Sequence, residues 1–227
     1  LKPHWDRKGT KRCVMTIPYN AKPFSNRSYI RDAFKEKGVD VTKEELTLCV
    51  NAVRTAMNLV VPGAMNVMKW IETEIARAIK AGAPEIRWTT PSGFIVKQRL
   101  MKTSREVIQS QLMGRVRINV SGKETGVDLK HHKNATAPNL IHSLDASLLH
   151  IAMTDVDFPI ALIHDSVLCR ATDMCTLSTL VRKTYMSLFA EHEPLTDFAL
   201  AIGAEEQPPI IGDLQPEAVI DSQYFFC

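Results

Sequence analysis

The chain has 227 residues, 45% of them hydrophobic and 23% charged, proportions that exclude a disordered polymer and fit a folded globular chain. That length suits one large domain or two closely packed lobes. The net charge of +3 is too small to imply nucleic acid by itself, but the charge is unevenly spread. Lys2, Arg7, Lys8, Lys11 and Arg12 crowd the start. Arg99, Lys102, Arg105, Arg115, Arg117, Lys123, Lys130 and Lys133 form a second basic stretch, and the segment from Glu191 to Glu217 is acidic. The five cysteines (Cys13, Cys49, Cys169, Cys175, Cys227) form neither a CxxC pair nor a zinc-type cluster, which argues against a disulfide framework and a structural zinc. A reducing, cytoplasmic setting is expected. No apolar run reaches the roughly 18 residues of a membrane helix, and no signal peptide or membrane partner is expected. The opening at Leu1, within a charged motif and without an initiator Met, leads us to expect a cut from a longer chain.

In chain order, the segment from Lys8 towards Tyr19 reads as a helix that Pro18 disturbs. Thr42 and Glu45 form a capping box for a helix towards Asn58. Pro62 and Gly82 bracket a long amphipathic helix whose stripe (Met65, Met68, Ile71, Ile75, Ala78, Ile79) predicts core packing. Ile86 to Thr90 and Phe94 to Gln98, around Pro91-Ser92-Gly93, predict a β-hairpin. A second hairpin is expected from Leu112 to Val120 and Val127 to His131, with its tip at Ser121 to Gly126. Ala137-Pro138 should end that region, followed by a helix from Asn139 to Met153. Phe158 to Ile163 and Val167 to Ala171 read as strands about His164-Asp165-Ser166. Asp173 then caps a helix towards Glu191, and the remainder reads as loops. The fold class is therefore mixed α/β, of α+β type, with antiparallel hairpins rather than a doubly wound sheet.

Three strings carry chemistry. Arg7, Lys11 and Met15 recur every four residues and share a helical face. Two long cations on one face suit a triphosphate, and Tyr19 beyond them can meet a base or sugar. Asp165, in a tight turn between apolar strands, presents a carboxylate at the tip of a support. His142 stands near the start of a helix in Ala137-Pro138-Asn139-Leu140-Ile141-His142-Ser143, with Asp145 and Leu149 beyond.

Arg7-x3-Lys11-Arg12-x2-Met15-Thr16-x2-Tyr19 resembles the nucleotide-binding finger helix shared by family A DNA polymerases and single-subunit RNA polymerases of phage and mitochondria. Met15-Thr16 and His164-Asp165-Ser166 resemble the RNA polymerase versions, as do the string around His142, Trp88-x-Thr90-Pro91-x-Gly93-Phe94, and the aromatic tail containing Phe226. The resemblance implies a DNA-directed RNA polymerase, with fingers at 1–141 and part of the palm at 142–227. It implies that Arg7, Lys11, Tyr19 and His142 bind the incoming rNTP, that Lys11, Tyr19 and Asp165 serve catalysis, and that Asp165 binds Mg²⁺. Arg12, His164 and a basic hairpin at about 112–131, with Arg115, Arg117 and Asn119, are expected to contact DNA or RNA. DNA template, nascent RNA and rNTPs are the implied partners.

Two departures stand out. Asn20 occupies the place after the motif Tyr where the family usually has Gly, and Pro18 precedes that Tyr. The family's first catalytic Asp has no counterpart before Arg7, and neither Asp145 nor Asp157 has its context. A second polypeptide, or an N-terminal segment, is therefore expected to supply it, and the isolated chain is expected not to polymerise. A family A DNA polymerase fragment is one alternative, opposed by Met15-Thr16 and His164-Asp165-Ser166. A nucleic-acid-binding relic without catalysis is another, opposed by the joint presence of Arg7, Lys11, Tyr19, His142 and Asp165.

Overall fold

Local start signals, among them the Thr42–Glu45 capping box and Pro62, open several of the helices where the sequence places them. The computed structural model describes residues 2–111, 116–209, 212–223 and 225. Helix α1 (Arg7–Met15) opens where the Asp6 carboxylate accepts the Lys8 N–H at 2.9 Å and closes before Pro18. Helix α2 (Pro23–Lys35), not anticipated from sequence, starts with Pro at its first position, where the missing N–H costs nothing. Helix α3 (Lys43–Val60) carries the expected capping box, with Glu45 N–H donating to Thr42 Oγ1 at 3.2 Å and Thr42 N–H donating to Glu45 Oε2 at 3.0 Å. Cys13, Ile17, Ile30, Phe34, Leu46, Val50, Val53 and Met57 bury one core between these three helices.

Helix α4 (Pro62–Lys80) bridges that core to a second one. Of its predicted stripe, Met68, Ile71, Ile75 and Ala78 are buried, and Met65 and Ile79 pack at the edges. The first hairpin forms as expected from β1 (Ile86–Thr89) and β2 (Ile95–Gln98), with Trp88 opposite Val96. Helix α7 (Pro194–Ile202) lies in the stretch that reads as loops; its nine residues are too few for a strong periodic signal. Its Phe198 is buried edge-on against Trp70 (6.3 Å) and Trp88 (5.6 Å). The buried Glu74 carboxylate accepts from Arg77 Nε and from the Glu205 backbone N–H, both at 2.9 Å, and so ties α4 to the chain beyond α7.

The second hairpin differs from the expected one. Strand β3 (Met101–Ser110) pairs with β4 (Val116–Val127), from Met101 opposite Val127 to Ser110 opposite Val116. Residues 121–126 are therefore strand, not tip. The turn signals there mark a bulge: Thr103 faces Glu124 whereas Arg105 faces Ser121. Gly122 lies where strand side chains crowd, since a Cβ would come within 2.3 Å of Ser104 Oγ. The pairing ends by Val127, and His131 belongs to helix α5 (Leu129–Thr154).

Helix α5 starts earlier than expected and runs through Pro138, although proline removes an intrahelical hydrogen bond. Tertiary contacts hold both sides of the break. The Gln98 side chain meets His132 Nδ1 at 3.1 Å, Thr136 Oγ1 at 2.8 Å and Asn139 Nδ2 at 2.6 Å. An expected division at 141/142 falls inside this continuous helix.

Strands β5 (Ile160–Ile163) and β6 (Ser166–Cys169) form the predicted antiparallel hairpin, Ile160 opposite Cys169 and Ile163 opposite Ser166. Helix α6 (Met174–Glu191) packs on α5 through Ala152, Leu177 and Val181, with Val167 and Cys169 against the same cluster. Asp173 stands at its N-cap position, but its carboxylate makes no cap bond and instead accepts from Arg170 Nε at 2.6 Å. Among the described residues no single helix is long and apolar enough to cross a membrane.

Candidate nucleotide and metal site

The cations of α1 divide into two sets. Lys8 faces Glu36 at 3.6 Å, and Arg12 faces Asp32 at 3.8 Å with its guanidinium 4.6 Å from the Tyr29 ring centre. These two bind the helix to α2. Arg7 and Lys11, on the other face, are exposed and make no side-chain hydrogen bond or ion pair among the described residues. The structure thus separates anchoring cations from cations available to a ligand, which their sequence spacing alone does not do. Asp6, at the foot of the helix, has a carboxyl held below its ordinary value, chiefly by the hydrogen bond from Lys37.

Beyond Met15 the chain turns sharply. Asn20 N–H donates to the Ile17 carbonyl at 2.8 Å, and Asn20 itself takes a left-handed φ of 56°. This is the conformation that favours glycine, and Asn is among the few other residues that enter it readily. The side chain adds what glycine lacks. Its Nδ2 donates to Glu72 Oε1 at 2.7 Å, its Oδ1 accepts from Lys22 Nζ at 3.0 Å, and Lys22 pairs with the same Glu72 carboxylate. The departure at Asn20 therefore preserves the turn and fastens it to α4.

That turn brings Tyr19 to His142 of α5, with ring centres 4.7 Å apart and planes tilted by 37°. Both residues are exposed. The α5 segment carrying His142 is itself held from the first hairpin. Trp88 Nε1 donates to Ser143 Oγ at 3.0 Å, and the Ser92 backbone N–H donates to Ser147 Oγ at 2.7 Å. Gly93 sits in that hairpin turn with φ of 80°, and Thr90 Oγ1 accepts the Phe94 N–H at 3.2 Å. The Trp88-to-Phe94 string is thus a brace for the helix bearing His142.

Asp165 occupies the two-residue turn between β5 and β6, exposed, with Ser166 Oγ 3.5 Å from its carboxylate. The preceding His164 is left-handed (φ 56°), a position that a two-residue hairpin usually gives to Gly. Around the turn Leu162, Ile163 and Leu168 remain exposed. Sequence reading set Asp145 aside, yet it lies one helical turn from His142 and within electrostatic reach of Asp165. Its carboxyl is pushed above the ordinary range, chiefly by loss of hydration; His142 pulls it down, and the negative charge of Asp165, the smaller effect, pushes it up. The i, i+3 spacing from His142 on one helix face was the available signal. Among the described residues no three His, Cys, Asp or Glu side chains form a group able to hold a metal ion. The hard oxygen donor of Asp165 fits Mg²⁺ as a partial ligand set, because Mg²⁺ is commonly held by one or two carboxylates with substrate phosphates.

The remaining expected contacts lie apart. Arg117 and Asn119 are both exposed on β4, two residues apart and hence on one face, opposite Gln109 and Val107. Arg99 grips Glu124 through two hydrogen bonds, of 2.8 and 2.5 Å, at the base of that ribbon. Arg115 and Phe226 lie outside the described residues.

The DNA-dependent RNA polymerase family model matches residues 1–207. A DNA-directed RNA polymerase of Pseudomonas phage phiKMV is 28% identical over 98% of this chain, which spans 29% of that relative's length. The chloroplastic DNA-directed RNA polymerase 3B of Nicotiana tabacum is 28% identical over 97% of the chain, which spans 23% of it. DNA-directed RNA polymerase 2A of Nicotiana tabacum is 31% identical over 97% of the chain and is covered over 69% of its own length. With a helix of free cations, a Tyr19–His142 pair and a hairpin-borne Asp165 in one chain, and a family match over nearly all of it, the protein belongs to the DNA-dependent RNA polymerase family of the phage and organellar type.

Proposed function

We propose that this chain carries the nucleotide-selecting face and one metal-binding carboxylate of a DNA-directed RNA polymerase that extends RNA from rNTPs on a DNA template. The carrying observation is the Tyr19–His142 contact, which joins two motifs distant in sequence into one exposed surface. Residues 1–141 act as fingers and 142–227 as part of the palm, with α5 as the rigid member crossing between them.

In this reading Arg7 and Lys11 neutralise the triphosphate oxygens with charge-assisted hydrogen bonds, and their lack of internal partners leaves both free to do so. Tyr19 and His142 meet the ribose and reject an analogue without the 2′-hydroxyl, because the polar groups meant for it would be left unpaired. Asp165 would hold Mg²⁺, with Asp145 nearby adding negative potential. When bound, the metal pair of such a site activates the RNA 3′-oxygen and stabilises the leaving pyrophosphate. A further carboxylate comes from another polypeptide or segment, so the chain by itself does not polymerise. His164 flanks these groups towards template or transcript, Arg12 would reach a strand only by leaving Asp32 and Tyr29, and the β3–β4 ribbon approaches DNA through Arg117 and Asn119. The setting is the cytoplasm of an infected host cell.

The test is reconstitution. The chain alone should make no RNA, and the completed enzyme should make it in a Mg²⁺-dependent manner. Asp165→Asn keeps shape and removes charge, so it should abolish synthesis without unfolding the protein. Robust synthesis by that variant, or by the isolated chain, would overturn the mechanism.

A further inference from the structure

A cleft of about 440 Å³ opens between the finger turn, α4, the base of β3 and the first two turns of α5. Lys22, Lys102, Lys130 and Lys133 line it together with Glu72, Leu129 and Asn134. The only carboxylate lining it among the described residues, Glu72, is already engaged by Lys22 and Asn20. Lys102, Lys130 and Lys133 make no ion pair or side-chain hydrogen bond among the described residues. Three uncompensated ammonium groups therefore line one concavity, and like charges gathered in one cleft repel unless an anion joins them. The first two turns of α5 border the same space, and the carboxylate of Asp128 at the helix start is turned to the His131 N–H at 2.9 Å. Burial first, and then the positive charges of Lys133 and Arg54, hold the Lys22 ammonium below the usual lysine range.

Among the described residues the lining contains no aromatic ring. A base or free nucleoside would find nothing to stack on, whereas phosphate oxygens would find three donors; contacts of that kind position a strand without reading its sequence. We propose that this lysine cleft binds the phosphodiester backbone of a nucleic-acid strand, independently of sequence. The identity of the ligand rests on the polymerase reading; the electrostatics of the cleft do not. Because Asn20 bonds Glu72 and Lys22 on the cleft wall and directly follows Tyr19, a strand lodged here lies against the turn that presents the ribose-sensing ring.

The test is fluorescence anisotropy of the intact protein with fluorescein-labelled single-stranded DNA of two unrelated sequences, over a salt series. Each phosphate neutralised contributes about 0.7 to the slope of log affinity against log salt for a single strand, so removing three lysines should flatten it by about 2. We expect K102S/K130S/K133S to show that loss equally for both sequences, and the corresponding Lys→Arg triple variant to keep the wild-type slope. Lys102 and Lys130 are exposed and Lys133 is half-buried, so an unchanged thermal transition in the Ser variant confirms that folding is not the cause. An unchanged slope in the Ser variant would reject the cleft as a backbone site, as would inorganic pyrophosphate binding that needs the three lysines while DNA binding does not. Retained synthesis by Asp165→Asn would instead sink the polymerase mechanism and leave the anisotropy result standing, so the two can fail separately.

Discussion

Replacing Asn20 by Gly and, separately, by Ala divides the role of its side chain from that of its backbone. Both substitutions remove the bonds to Glu72 and Lys22, at 2.7 and 3.0 Å. Hydrogen bonds to charged partners contribute about 1.5–3 kcal/mol each when well buried; this half-exposed pair warrants the low end, roughly 1.5 kcal/mol in total. Ala must also hold the left-handed φ of 56°, which costs a residue with a Cβ about 1–2 kcal/mol. Gly accepts that angle freely but gives up roughly 0.5–1 kcal/mol through the added freedom of the unfolded chain. The expected losses are therefore about 2.5–3.5 kcal/mol for Asn20→Ala and about 2 kcal/mol for Asn20→Gly, read by urea denaturation at constant m-value. Equal losses would show that the left-handed turn is not what Asn20 provides. No loss in either would show that the tie to α4 contributes nothing. In the completed enzyme the Gly variant should retain more ribonucleotide selectivity than the Ala variant, because it keeps the turn that aims Tyr19 at His142.

The buried His132 predicts a pH dependence. Burial holds its imidazole below the ordinary 6.5, so the folded state binds fewer protons than the unfolded one, and stability should be full above pH 6.5 and fall as the pH drops below it. Thermal unfolding of wild type against His132→Gln should show that part of the acid sensitivity removed; identical pH profiles would reject the assignment. Phe198→Ala empties the centre of the α4–α5–α7 core and should cost about 3–5 kcal/mol, measured by denaturant unfolding, and a loss below about 1 kcal/mol would mean that the edge-on packing against Trp70 and Trp88 is loose. Lys11→Ala should weaken apparent nucleotide affinity by roughly tenfold or more with little change in template binding, and Tyr19→Phe should relax rNTP over dNTP preference by roughly tenfold or more while synthesis persists. Footprints with Arg117→Ala should separate backbone contact, which weakens binding at every sequence, from base readout, which relaxes preference at one position.

What sequence alone determined follows from local physics. The Thr42–Glu45 box, the Pro91-Ser92-Gly93 turn, the α4 stripe and the strands about Asp165 are short-range signals, each decided by residues within a turn or two of one another. The family strings were legible for the same reason, since a ligand contact written on one helix or turn leaves its residues close together. Tertiary structure decided what depends on distant partners. The turn signals at residues 121–126 lost to pairing with β3, because ten residues of ladder outweigh a local glycine preference. Helix α5 passes through Pro138 because Gln98, from another element, supplies contacts on both sides of it. Only packing could separate the bound cations Lys8 and Arg12 from the free ones Arg7 and Lys11, set Asp145 within reach of Asp165, or close three unpaired lysines from β3 and α5 around one cleft. Electrostatic energy depends on separation in space, and for residues on different elements that separation comes into being only when the chain packs.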